Sequence, residues 1–227
     1  MPNPVLLVHG WAGSFDTTWR RSGLVDLLVD AGRRVIPFDL PGHGVGPKSH
    51  DPNDYRNLAD SLLESVIGET QIDAVGFSLG GMTLLEAICR KPQLFGRAVI
   101  AGIGDGVLLP HDPVDTESII SGLEGRADPT DKTARLFGKI GNEPPNDPLA
   151  LAAILKRPRS NQLTPESISQ ITCPILLVLG DSDFSLPATN LQQIIPRAEL
   201  SIVKGADHFR TPETFDFLNL VLRFLGD

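Results

Sequence analysis

The sequence has 227 residues, 41% hydrophobic and 21% charged, the balance of one soluble globular domain carrying an insertion rather than of two full domains. Its formal net charge of −8 repels phosphates, which argues against nucleic acid and anionic membrane surfaces as partners. The two cysteines, Cys89 and Cys173, stand far apart and in no CxxC pattern. They give no basis for a disulfide framework or a zinc knuckle and read as reduced, buried thiols.

Met1-Pro2-Asn3-Pro4 leads straight into the apolar run 5–8, with no positively charged leader and no small-residue cleavage site. No apolar run is long enough to span a bilayer, so a cytoplasmic location is expected. Residues 5–8 read as a strand buried on both faces. A helix is predicted over 16–31, with Leu24, Leu27, Leu28 and Ala31 on one side and Gly32 closing it. Residues 34–38 form the next strand, and Pro37, which has no backbone donor, places it at a sheet edge. A helix over 54–67, a strand over 72–77, a helix over 79–89 and a strand over 97–101 follow. Later come strands at 175–179 and 200–203 and a closing helix at 215–225. Strands alternating with helices predict an α/β fold, a mostly parallel central sheet of about six strands with helices on both faces.

Residues 105–170 break this rhythm, being proline-rich and only weakly periodic around 148–155. So long an interruption in a small domain is usually functional. The expected division is a core of residues 1–104 and 171–227, with 105–170 inserted as a lid. The basic cluster Lys156, Arg157, Arg159 offers a face for an anionic acyl carrier, but a solvated surface turn is the favoured reading.

Gly76-Phe77-Ser78-Leu79-Gly80 matches G-x-S-x-G between a predicted strand and a predicted helix. A serine on such a turn sits on a strained backbone. The flanking glycines remove Cβ atoms that would clash, and the helix N-terminus points its free N–H groups at whatever bonds to Ser78. A serine hydroxyl needs a base within reach. Of the five histidines, only His111 and His208 follow Ser78. His208 lies after the last strand, whereas His111 lies in the inserted segment, a poor platform for a base. The strand at 175–179 ends in Gly180-Asp181-Ser182-Asp183, and a carboxylate there can orient His208. Spacing leaves both Asp181 and Asp183 open for that role. His9 and His43 precede glycines in loops and read as structural, and Asp207 as part of a turn.

In order along nearly the whole chain, His9-Gly10-Trp11, Asp39-Leu40-Pro41-Gly42-His43-Gly44, Gly76 to Gly81 and Gly180-Asp181-Ser182-Asp183 resemble the motifs of the α/β-hydrolase superfamily. The segment 45–49 is longer than the usual turn, and an N-terminal hairpin of many members is missing ahead of the first strand. The resemblance implies a short α/β-hydrolase fold with a lid and Asp183 as the acid beside Ser78 and His208. It places the oxyanion donors at the backbone N–H groups of Trp11 and Leu79. Trp11, Phe77 and Phe184 are expected to line the acyl pocket. The activity implied is that of a serine carboxylesterase-like hydrolase on a small-molecule ester or thioester, without metal or organic cofactor, as either a monomer or a dimer. The same triad also serves acyltransferases, C–C bond hydrolases and lyases, and a ligand-sensing protein can keep it. Dehalogenases of the fold resemble the chain less, since they use Asp at the position of Ser78.

Overall fold

In the computed structural model, which describes residues 2–109, 114–158 and 163–226, six strands form one sheet. They are β1 (Val5–Val8), β2 (Val35–Phe38), β3 (Ile72–Phe77), β4 (Phe95–Ala101), β5 (Ile175–Ser182) and β6 (Ala198–Asp207). The order is β2-β1-β3-β4-β5-β6 and every pairing is parallel. Strand β2 lies at an edge, where the missing donor of Pro37 breaks no ladder. The chain steps outward from β1 to β2 and then crosses back to β3 on the other side. That reversal leaves a crevice beyond the carboxyl ends of β1 and β3, the place where open α/β sheets bind ligands.

Alternation along the strands sorts the core into two layers. Leu6, Val8, Ala74, Ala98, Ile100 and Leu177 face one side, covered by α2 (Leu58–Ser65) and α3 (Leu79–Arg90). Leu7, Val75, Val99, Ala101, Leu176 and Val178 face the other, covered by α1 (Leu24–Asp30) and α9 (Phe215–Gly226). Both faces of the sheet are thus dry, which is why its strands read as apolar runs.

Two helices differ from their sequence patterns. The stretch 16–31 is not one helix but a wide π-helical turn at Phe15–Arg20, capped by Ser14, followed by α1. Gly23, at φ 85°, breaks the two apart, and the break lets Phe15 and Trp19 turn into the core. Residues 54–67 likewise divide into a short 3₁₀ turn, Pro52–Tyr55, and α2. Here the buried Tyr55 hydroxyl donates to Ser49 O and accepts from Ser49 N, both at 2.7 Å, which ties the turn to the preceding loop instead of the helix. Strands β5 and β6 run longer than their apolar cores predict and pair as far as Ser182 with Asp207.

Between β4 and β5 lie α4 (Val114–Leu123), α5 (Lys132–Gly141), α6 (Pro148–Lys156) and α7 (Pro165–Ile168). Asp131 and Asp147 cap α5 and α6 by accepting from Ala134 N and from Leu149 and Ala150 N. The segment is not uniformly peripheral. Leu151, Ala152, Ala153 and Ile154 of α6 are buried in the same core layer as Leu40, Tyr55 and Leu84. The pair α4–α5 packs chiefly on itself and on α6. Lys156 is ion-paired with Glu124 and Arg157 Nη1 donates to Ile154 O, as a surface turn would have it, while His111 and Arg159 lie outside the described residues. Helix α8 (Thr189–Ile194) joins β5 to β6.

At the opposite end of the sheet, Arg33 is buried and ion-paired with buried Asp73. Its remaining donors reach Asn3 O and Leu225 O, so the pair is satisfied on all sides and clamps the first and last elements together. Nothing in the local sequence marked this pair. No helix among the described residues is long and apolar enough to cross a membrane.

Candidate active site

Ser78 follows β3 directly and starts α3, with φ 52° and ψ −118°, a conformation that costs a non-glycine residue energy. Its surroundings hold it there. A Cβ on Gly80 would lie 2.3 Å from His9 O, and one on Gly76 would lie 2.8 Å from Gly80 O, so neither position accepts a side chain without displacing backbone. These glycines let α3 press against the ends of β1 and β3 and aim its N-terminus at the crevice. Ser78 N donates to Ala101 O at 2.8 Å, and Ser78 O accepts from Met82 N at 2.9 Å.

His208 emerges straight from β6, and Asp183 straight from β5. Because β5 and β6 pair up to Ser182 and Asp207, the next residue on each strand meets the other. His208 Nδ1 lies 2.9 Å from Asp183 Oδ1, and His208 Nε2 lies 2.9 Å from Ser78 Oγ. A carboxylate only accepts, so Nδ1 donates to Asp183, Nε2 is left as an acceptor, and the Ser78 hydroxyl donates to it. Burial works against the Asp183 carboxylate, but hydrogen bonds from His208 and from Ser185 N outweigh it and hold its pKa below the usual aspartate value. Both His208 and Asp183 are buried. Such a chain of contacts can draw a proton from the serine and stabilise the imidazolium that results.

Asp181 goes elsewhere: it is exposed, and its Oδ2 accepts from Gly205 N of the neighbouring strand β6 at 3.0 Å. Asp207 closes the next turn by accepting from Arg210 N at 2.9 Å. His9 is fully buried, with Nε2 accepting from Leu40 N at 3.1 Å and Nδ1 donating to Gly10 O at 2.8 Å. His43 Nδ1 donates to Pro41 O at 3.2 Å. Burial drives both below the ordinary histidine pKa, and in His43 the neighbouring His9 adds to the effect. Both therefore stay neutral and brace their loops. Burial pushes the Cys173 thiol up to about 11, the state of an inert packing residue, while Cys89 is half-buried.

A cavity of about 190 Å³ opens between Gly10, Trp11, Phe77, Phe137, Phe209 and Glu213; it borders the Ser78–His208 contact through Gly10, Phe77 and Phe209, while Ser78 and His208 themselves are not in its lining. Trp11 lies at the first corner of a turn closed by Gly13 N donating to Gly10 O at 3.1 Å, with Ala12 at φ 59° in the second corner. Its indole Nε1 donates to Leu151 O of α6 at 3.3 Å, and its ring meets Phe137 of α5 at 5.6 Å. Leu79 is the first residue of α3, where an N–H has no intrahelical acceptor. Phe77 packs on the His208 ring at 5.0 Å. Phe184, expected in the pocket, lies instead over the outer side of His208 at 4.2 Å, 72% exposed and outside the cavity lining. The residue after Asp183 must leave the turn toward solvent once Asp183 itself points inward. Phe137 and Ile140 on α5, and Phe209 and Glu213 beyond His208, were not anticipated. Adjacency to His208 was a usable signal for Phe209, but none existed for Phe137. Among the described residues no group of three or more His, Cys, Asp or Glu side chains gathers as metal ligands would.

Residues 5–216 match the model of the Alpha/beta hydrolase family. A similar curated protein is the 2-hydroxy-6-oxononadienedioate/2-hydroxy-6-oxononatrienedioate hydrolase of Escherichia coli K12, 28% identical over 98% of this chain and 86% of the relative. Among solved structures, a bromoperoxidase from Bacillus anthracis superposes with a TM-score of 0.73 at 22% identity, covering 100% of this chain and 93% of the other. A carboxylesterase structure from the thaumarchaeon Nitrososphaera gargenis gives 0.73 at 17% identity, over 99% and 90%.

Proposed function

Because this chain belongs to the alpha/beta hydrolase family, we propose that it is a serine hydrolase that cleaves a carboxylic ester or thioester through an acyl-enzyme intermediate. The observation that carries the reading is the continuous contact Ser78 Oγ–His208 Nε2–Asp183, at 2.9 Å in each step. His208 removes the Ser78 proton as Oγ attacks the carbonyl carbon. The backbone amides of Trp11 and Leu79 receive the oxyanion, each such donor being worth about 10²–10³ in rate. The protonated His208 then gives its proton to the departing alcohol or thiol, and a water deprotonated by His208 releases the acid and restores Ser78. Within the inserted segment, α5 acts as the lid of the site, with Phe137 and Ile140 forming its inner wall.

A second reading comes from the name of the Escherichia coli relative, a hydrolase of hydroxy-oxo dicarboxylates; such substrates hold no ester or amide, so their hydrolysis breaks a C–C bond. The cavity favours the ester reading, since among the described residues no lysine or arginine lines it and Glu213 is its one ionisable side chain. A dianion would find no partner there. The test is labelling of Ser78 by a small fluorophosphonate together with turnover of a chain-length series of p-nitrophenyl esters and thioesters. Labelling with ester turnover supports the reading. Cleavage of a dienedioate with no ester turnover would replace it with the C–C reading.

A further inference from the structure

Charge in the cavity beside Ser78 is one-sided, and this leads to a substrate class; the inference rests on the serine-hydrolase reading of the same site. Trp11, Phe77, Phe137 and Phe209 supply aromatic walls, and among the described residues Glu213 supplies the only ionisable side chain of the lining. Glu213 is exposed, so its carboxylate stands at the mouth. The turn beneath it is rigid: Thr211 Oγ1 donates to Asp207 O at 2.7 Å, Glu213 N donates to Arg210 O at 3.0 Å, and Thr211 and Pro212 are buried. The backbone that carries the carboxylate therefore has a settled position five residues after His208.

The groups facing it do not neutralise it. Thr17 and Thr18, on the helical turn packed against it, are uncharged. Arg20 of that turn is bound to Asp16 at 2.8 Å and lies over the Phe15 ring, and Arg210 lies outside the lining. A carboxylate at the open end of an aromatic cavity is the arrangement that receives an organic ammonium ion, through charge at the mouth and ring faces along the walls. The net charge of −8 over the whole chain acts in the same sense on the approaching substrate.

The geometry points to an ester or thioester whose apolar part ends in an ammonium group, with Glu213 as the residue that sets this preference. Carboxylate-terminated analogues, of the sign named for the Escherichia coli relative, are the disfavoured ones.

The experiment compares p-nitrophenyl esters of 6-aminohexanoate, hexanoate and hexanedioate on wild-type protein, Glu213→Gln and Glu213→Lys. The expected order of kcat/KM in the wild type is ammonium, then neutral, then carboxylate. An exposed charge at contact distance is worth up to about a fivefold change, so Glu213→Gln should shrink the ammonium-to-carboxylate ratio by about that factor, and Glu213→Lys should invert it. Raising the ionic strength should compress the wild-type ratio, and in each variant the charged esters are read against that variant's own turnover of the neutral ester. Calorimetric titration with 4-phenylbutylamine and 4-phenylbutyrate reads the same preference without turnover. If no ester is hydrolysed, the serine-hydrolase reading fails, while the titrations still decide the role of Glu213. A wild type that prefers the carboxylate, or a ratio indifferent to both substitutions, overturns the inference.

Discussion

Helix α6 and the α4–α5 pair belong to the same inserted segment, yet they stand in different relations to the sheet. Helix α6 buries Leu151 and Ile154 completely, in the layer that also holds the sheet residues Leu6 and Ile100. Helix α5 leaves Leu136 54% exposed and turns Phe137 and Ile140 to the cavity. An insertion is therefore not one mechanical unit. The part beside the β-sheet layer is core, and its hold on Trp11 Nε1 links it to the turn at Gly10–Gly13. The part beyond it is wall, free to vary with the substrate at little expense in stability.

The chemistry on the core side gives the sharpest break of this contrast. Ser78→Ala should lower ester turnover by about 10⁴–10⁶ while leaving the thermal midpoint nearly unchanged, because the side chain makes one hydrogen bond, to His208. Wild-type turnover in the purified variant would remove Ser78 from the mechanism. Next in size is Asp183→Asn, which should cost about 10⁴ in kcat because an amide cannot hold the same tautomer of His208. Asp181→Asn, at a residue whose carboxylate accepts from Gly205 N and Ser182 Oγ and not from His208, should cost little by comparison, and equal losses from the two would exchange their roles.

Stability separates the two halves of the insertion more directly. Leu151→Ala should destabilise the fold by about 2–5 kcal/mol in denaturant titrations, as a cavity in a closed core does. Phe137→Ala, at a half-buried wall position, should cost far less and instead flatten the preference among ester chain lengths. Similar denaturant midpoints for both variants would mean that α6 is as peripheral as α5.

The smallest effect expected is in acid. His9 and His43 are neutral in the fold with their pKa values below the ordinary 6.5, so the unfolded chain binds the protons first. Stability should therefore decline as pH falls from 6.5, and His43→Gln should soften the decline. Asp183 has the opposite sign of group but the same direction of effect: its lowered pKa stabilises the fold above the ordinary 3.8, and that contribution is lost as pH drops from 3.8 through the folded value. Denaturant midpoints between pH 7.5 and 5 that are flat in the wild type would mean the histidines are not held neutral.

Much of the sheet was legible because parallel strands buried on both faces are short apolar runs with no competing pattern. The strand at 72–77 was read to the residue. The elbow was legible as a short motif between a strand and a helix, although only Gly76 is demanded by backbone a few residues away, Gly80 being demanded by Val8 and His9 of the distant first strand and its loop. The helices of the insertion were less so. Helix α6 is apolar nearly all round, which hides its period, and the wide turn at Phe15–Arg20 has the composition of an ordinary helix.

By itself, the sequence determined the order of the strands along the chain, the strained serine and the histidine that follows the last strand, since each depends on contacts within a few residues. The motif resemblance pointed to Asp183, but spacing left both aspartates open, and only the tertiary structure supplies the physical reason why Asp183 meets His208. Asp181 and Asp183 are two residues apart, and a period of two cannot separate them by face. The pairing of Ser182 with Asp207 does, because it ends both strands at the same level and leaves Asp183 and His208 as neighbours. The cavity was decided in the same way. Phe77, Phe137 and Glu213 lie far apart along the chain, and nothing local to any one of them says that they share a wall.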